Sequence, residues 1–390
     1  MQVSTAQRLA NTGEYYFSQK LREIAALNQA GADIINLGIG SPDLPPHPTV
    51  TAALTASAAL PTTHGYQSYQ GIPALRAAVA EWYDRAYGVT LDPATEVLPL
   101  LGSKEGLMHI GMTFLEAGDV VLIPNPGYPT YRAVAEICGA TIREYNLTEA
   151  TGWLPDLEAL AESDLSEVKM MLVNYPHMPT GTRADAAFLA RLVAFAQQHQ
   201  IMLIHDNPYS FILNDAPMSL LAVPGAREVA LELNSLSKSH NMAGWRVGLL
   251  AGRADWLREV LRFKSNMDSG MFLPVQQAAV AALALGDEWF AELNAVYKGR
   301  RQVVFELLHT LGCQPDPEQT GLFVWAAVPP AYTDGYALSD ELLNEARVFL
   351  TPGGIFGSNG NGFIRVSLCQ SEAVLRKAVD RIVQSRKALA

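Results

Sequence analysis

From residue 35 onward the chain alternates short apolar or β-branched runs with stretches whose apolar positions recur at helical spacing. IINLGI is followed by GIPALRAAVAEWYDRAYG, EVLPLLG by KEGLMHIGMTFLEAG, and VVLIPNP by a helix through Tyr131 to Cys138. VKMMLVNYP, a helix over about 185–199, IMLIHD and VALELNS continue the series. Such an order predicts βαβ units, and hence an α/β fold with a mostly parallel sheet covered by helices on both faces. Near Gly286 the rhythm changes to a long helix ending at Leu311, a short sheet containing LFVWAAV and FIRVSLC, and a closing helix from Glu372. The pattern therefore predicts a large domain over 41–285 and a smaller α+β domain. The smaller one joins 286–390 to an N-terminal arm, 1–40, whose helix runs from about Tyr15 to Gln29.

A chain of 390 residues is longer than one hydrophobic core usually serves, which agrees with two domains. Apolar residues make up 49% and charged ones 17%, a balance that suits a compact enzyme with much buried surface. The net charge of -11 argues against a nucleic-acid partner, which needs a basic face. The N-terminus lacks the apolar core of a signal peptide, and no run approaches a membrane span, so no membrane is expected as a partner. Cys138, Cys313 and Cys369 are widely spaced and odd in number, which with the N-terminus predicts a cytoplasmic protein with reduced thiols. The histidines form no HExxH-like pair, so no metal is expected, and His177 and His205 read as packing groups.

The strand ends hold the unusual residues. Asp206 closes IMLIHD, where a carboxylate is either structurally paired or aimed at a ligand; Asn207, Pro208 and Tyr209 follow. After VALELN comes Ser235, Leu236, Ser237 and Lys238, with Gly244 and Arg246 downstream. Gly102, Ser103, Lys104, Glu105 and Gly106 open a helix, presenting free backbone N–H groups and a positive dipole end to an anion. Gly127, Tyr128 and Pro129 form a rigid turn that could hold an aromatic ring over a planar ligand.

With LGIGSPDLPP, GYQSYQGIPALR, GSKEGL, PNPGYPTY, NYPHMPTG, DNPYS, SLSKSHNMAGWRVG and FIRVSLC in order, the sequence resembles the class I/II aminotransferases of the aspartate aminotransferase superfamily, fold type I. GSKEGL, SLSKSHNMAGWRVG and KSNMDSG are most similar to the LL-diaminopimelate aminotransferase branch. The resemblance implies a seven-stranded large sheet and pyridoxal 5'-phosphate as cofactor. It also implies ping-pong transfer of an amino group between an L-amino acid and a 2-oxo acid, in a homodimer with shared sites. Lys238 would join the cofactor aldehyde as a Schiff base and then move protons, and Asp206 would pair with the ring nitrogen. Tyr209 would donate to the ring oxygen and Tyr128 would stack on the ring. Ser103, Lys104 (through its N–H), Ser235 and Arg246 would hold the phosphate, together with Tyr66 of the neighbouring subunit. Arg365 would take the substrate carboxylate, Gly40 would lie beside the substrate, and Lys104, Tyr15 and Asn266 would line the far end of the pocket, favouring a long or polar substrate.

Met178 is the departure: the family pattern has asparagine there, and methionine cannot donate to the ring oxygen or the carboxylate. Asn174, at the end of the preceding strand, is the candidate replacement amide. Two rival readings stay open: a β- or γ-eliminating lyase on the same scaffold, and a non-catalytic regulator that binds the cofactor. The regulator is disfavoured by the acidic charge.

Overall fold

The computed structural model describes residues 3–10, 13–14 and 16–389, so Tyr15 lies outside the described residues. The arm forms a helix over Tyr16–Gln29. The run IINLGI was expected to begin the βαβ series, but it forms only a short strand, β1 (Ile35–Asn36), paired in parallel with Val348–Phe349. It therefore lies outside the large sheet.

That sheet has seven strands: β2 (Val97–Leu100), β3 (Val120–Asn125), β4 (Thr141–Asn146), β5 (Val168–Val173), β6 (Met202–Asp206), β7 (Ala230–Ser235) and β8 (Gly248–Gly252). Their spatial order is β2-β8-β7-β6-β5-β3-β4, with β8 antiparallel to both neighbours and the other pairs parallel. Every residue of β2, β3, β7 and β8 is buried, as expected for strands covered on both faces. Alternate side chains feed two cores: Val120 and Leu122 face one, Val121 and Ile123 the other.

The helices that flank the site start where the sequence predicts. Asp185 caps Ala186–His199 by accepting the Phe188 N–H at 2.6 Å. Ser103–Phe114 sets Leu107 and Ile110 into the same core as Val121, Ile204 and Leu233. Burying a Leu or Ile side chain contributes roughly 1.5–3 kcal/mol each, so this helix start is held firmly against the sheet.

β10 (Val348–Phe349) is the partner of β1, and a separate three-stranded sheet combines β9 (Phe323–Ala327), β11 (Thr351–Pro352) and β12 (Phe363–Ser367), with β12 antiparallel between β11 and β9. Its core joins Val324, Ile364 and Val366 to Val304 and Leu308 of the helix Asp287–Thr310 and to Leu375 and Ile382 of Glu372–Leu389. Phe17 of the arm and Met178 and Ile212 of the large-sheet region pack into this core as well. The carboxyl ends of β2, β5, β6 and β7 thus open toward β12, the arrangement in which α/β sheets bind ligands.

Candidate active site

The chain leaves β2 through Gly102, at φ 107, and turns into the helix Ser103–Phe114. A Cβ on Gly102 would lie 2.1 Å from Nη2 of Arg246, and one on Gly248 would lie 2.5 Å from the Ser103 nitrogen. Two glycines therefore let a guanidinium and strand β8 close on a helix N-terminus. Arg246 holds a left-handed backbone, φ 58, and donates from Nη1 to the Ala243 carbonyl at 2.8 Å. Ser103, Ser235 and Ser237 line the cavity beside it. Free N–H groups, hydroxyls and a guanidinium make an anion cradle. Burial, and then the charge of Arg246, lowers the Lys104 pKa.

At the end of β6, Asp206 is buried and accepts the Tyr131 hydroxyl on Oδ2 at 2.9 Å. Its Oδ1 has no hydrogen-bond partner among the described residues. Burial raises its pKa to about 6, against the opposing effects of the Tyr131 bond and the His205 charge. Asn174, at the end of β5, donates from Nδ2 to the Asp206 carbonyl at 2.5 Å and accepts the Met178 N–H at 2.7 Å. Its amide is thus committed on both sides to holding two strand ends together. Nζ of Lys238 donates to the Gly40 carbonyl. Burial lowers the lysine's pKa, and Arg365 and Arg246 lower it further against an opposing effect of Cys369. Tyr209 has its pKa raised by burial. Tyr128 packs edge-on against Tyr131, with ring centroids 5.5 Å apart.

Arg365, in the middle of β12, is 4% exposed. Nη2 donates to the Gly38 carbonyl at 2.8 Å and Nη1 to Sδ of Met178 at 3.2 Å. Its guanidinium carbon lies 3.8 Å from the Phe323 ring centroid, 4.6 Å from Phe356 and 5.5 Å from Phe17.

One cavity of about 410 Å³ gathers these groups: Gly40, Ser103, Lys104, Tyr128, Asn174, Asp206, Tyr209, Ser235, Lys238, Arg246 and Arg365 all line it. Tyr66 is 94% exposed and Asn266 is exposed with its amide on the Arg262 carbonyl at 2.8 Å, so neither is brought to this cavity. Sequence reasoning passed over Tyr131 as a site residue, along with Phe17, Phe323 and Phe356, because their spacing reads as ordinary packing.

It also passed over a buried charge network on the same helix. His109 is fully buried, with Nε2 3.0 Å from Glu105 and 3.6 Å from Asp268. Lys264, 2% exposed, bonds the other Asp268 oxygen at 2.7 Å, and Glu105 accepts the Leu101 N–H at 2.8 Å. The glutamate and histidine, four residues apart on one helix face, were the signal. The network ties the turn before Ser103 to the segment 264–268.

A doubly wound sheet with a lysine, an aspartate and an anion cradle at its strand ends defines a fold type I pyridoxal phosphate-dependent enzyme. The chain belongs to the family Aminotransferase class I and II, whose model matches residues 32–382. It is 41% identical over 383 residues to the LL-diaminopimelate aminotransferase of Moorella thermoacetica, covering 97% of this chain and 98% of that protein. The enzyme of the same name from Dehalococcoides mccartyi is 39% identical, covering 99% and 100%. Among solved structures, apo-BacF from Bacillus subtilis superposes with TM-score 0.94 at 40% identity, covering 98% of each chain. A single mutant of Thermus thermophilus aspartate aminotransferase gives 0.91 at 25%, covering 98% and 100%. The protein is a pyridoxal phosphate-dependent aminotransferase acting on amino and 2-oxo acids. The comparisons give the lyase reading no support. Among the described residues, no helix is long and apolar enough to cross a membrane.

Proposed function

We propose that Lys238 carries the cofactor covalently and moves the proton during amino transfer, with Asp206, Tyr209 and Arg365 as its working partners. The bound cofactor supplies an electron-withdrawing ring that lets the substrate carbon lose a proton. The residues fit that group. Oδ1 of Asp206, a buried carboxylate oxygen that lines the cavity and has no hydrogen-bond partner among the described residues, is suited to a protonated ring nitrogen, and this observation carries the reading. A cationic ring nitrogen there would lower the carboxyl's raised pKa and keep it ionised. Ser103, Ser235, Arg246 and the helix N-terminus would hold the phosphate, with Tyr128 against the ring. The lowered pKa of Lys238 favours its neutral form, the one that acts as nucleophile and base. Arg365 would receive the substrate carboxylate, and Gly40 would place its carbonyl beside Lys238.

The strong exposure of Tyr66 supports a homodimer in which that hydroxyl reaches the neighbouring cradle. The core grouping supports a large domain over 41–285 and a small one formed by 1–40 with 286–390. Three unpaired cysteines suit a cytoplasmic setting. The test is a mass balance with an amino donor and a 2-oxo acid. Transamination yields the new amino acid and the new oxo acid in equal amounts; ammonia released without an acceptor would support elimination instead.

A further inference from the structure

We propose, on the basis of the aminotransferase reading above, that the preferred amino donor carries a large apolar side chain, aromatic or branched aliphatic. Leu21 on the arm helix helps select it. The cavity is divided chemically. Lys104 and Arg246 sit together by the phosphate cradle, while Asp206 and Lys238 lie at the strand ends. Against Arg365 lie Phe17, Phe323, Phe356 and Met178, and Leu21 and Ile39 line the same cavity. The guanidinium itself lies against aromatic rings at 3.8 and 4.6 Å and a thioether at 3.2 Å, with the Gly38 carbonyl accepting from Nη2 at 2.8 Å.

An α-carboxylate on Arg365 engages the charge at this end. A side chain that extends toward the arm would meet a lining in which Leu21, Ile39 and Phe356 outnumber the one hydroxyl the arm helix contributes, that of Ser18. An apolar side chain gains about 25 cal/mol per Å² of surface taken from water there. A second carboxylate or ammonium would instead lose its hydration against hydrocarbon. The lining thus separates this chain from what the name of its LL-diaminopimelate relatives describes, a donor with two charged ends. Met178 contributes by setting sulfur where an amide would have offered polar contacts.

The test follows the first half-reaction of the cofactor-loaded enzyme by its visible absorbance, with each donor alone, so that the acceptor does not enter. Phenylalanine, leucine and methionine are compared with LL-diaminopimelate, aspartate and lysine. The apolar donors are expected to react with second-order constants at least about 10-fold higher. Diaminopimelate or aspartate reacting as fast as phenylalanine, or faster, overturns the proposal while leaving the aminotransferase reading intact. A spectrum that no donor changes overturns both. Leu21→Ser, at an exposed helix position, is expected to lower the constant for phenylalanine by roughly 5- to 10-fold more than that for alanine. Equal losses for the two donors would contradict a role for Leu21 in selection.

Discussion

Arg365 and Met178 meet across the cavity wall, with Nη1 3.2 Å from a thioether sulfur. Sulfur is a weak acceptor, so a carboxylate that reached Nη1 would make the stronger bond. The neighbouring amide, Asn174, is bound to Asp206 and to the Met178 N–H. Met178→Asn would introduce an amide donor beside the cofactor's ring oxygen and stabilise its anionic form. The pH at which the visible band of the holoenzyme shifts is then expected to fall by about 1–2 units. A spectral titration checks this, and an unchanged midpoint at full cofactor loading would show that Met178 acts through Arg365 alone.

Arg365→Lys tests the carboxylate contact. A lysine cannot present two parallel N–H donors or lie flat between Phe323 and Phe356. Losing a charged hydrogen bond costs about 1.5–3 kcal/mol, so KM is expected to rise roughly 10- to 150-fold. Because every donor has an α-carboxylate, the rise should be similar for all of them. A loss restricted to one donor would place Arg365 at the side-chain end.

The raised pKa of Asp206 gives the cofactor-free protein a defined pH dependence. Unfolded, this carboxyl titrates near 3.8; folded, near 6. The native state therefore binds more protons between these values, and stability falls as pH rises through them. Asp206→Asn removes the ionisation. The cofactor-free variant should gain about 1–3 kcal/mol relative to wild type above pH 6, and the gain should vanish below about pH 4. Urea unfolding across that range measures it; a difference independent of pH would show that the carboxyl does not titrate there. The same substitution should weaken cofactor binding.

His109→Phe should loosen the turn between Leu101 and Ser103, since Glu105 then loses the group opposite its Oε1. The expected cost is about 2–4 kcal/mol in unfolding free energy. Cofactor affinity should fall as well, because the turn sets the anion cradle. Unfolding with and without cofactor separates the effects: equal losses in both forms would mean that the network supports the helix without tuning the cradle.

Much of this site was legible because its residues follow directly on apolar runs. Asp206, Ser235 and Ser103 sit where strands end, and a strand's direction fixes where its last side chain goes. Strand β4 was less legible. TIREYN is an edge strand with mixed exposure and lacks the continuous apolar run that marks β3 or β7. GLLAG, flanked by glycines, was absorbed into the motif before it and not read as β8. IINLGI has a strand's composition, yet only pairing partners decide which sheet a strand joins, and those lie some three hundred residues away in sequence. Asn266 shows the same limit: its residue type suits a substrate pocket, but its amide caps its own helix. The aromatic and thioether surroundings of Arg365 were hidden because they converge from four separate segments of the chain.

The central claim is that Lys238 is the residue that holds the cofactor. Borohydride reduction of the yellow holoenzyme, followed by peptide mapping, tests it directly. The account predicts that the visible band disappears and that the reduced pyridoxyl group is found on Lys238. The label on any other lysine, or on none, would contradict it.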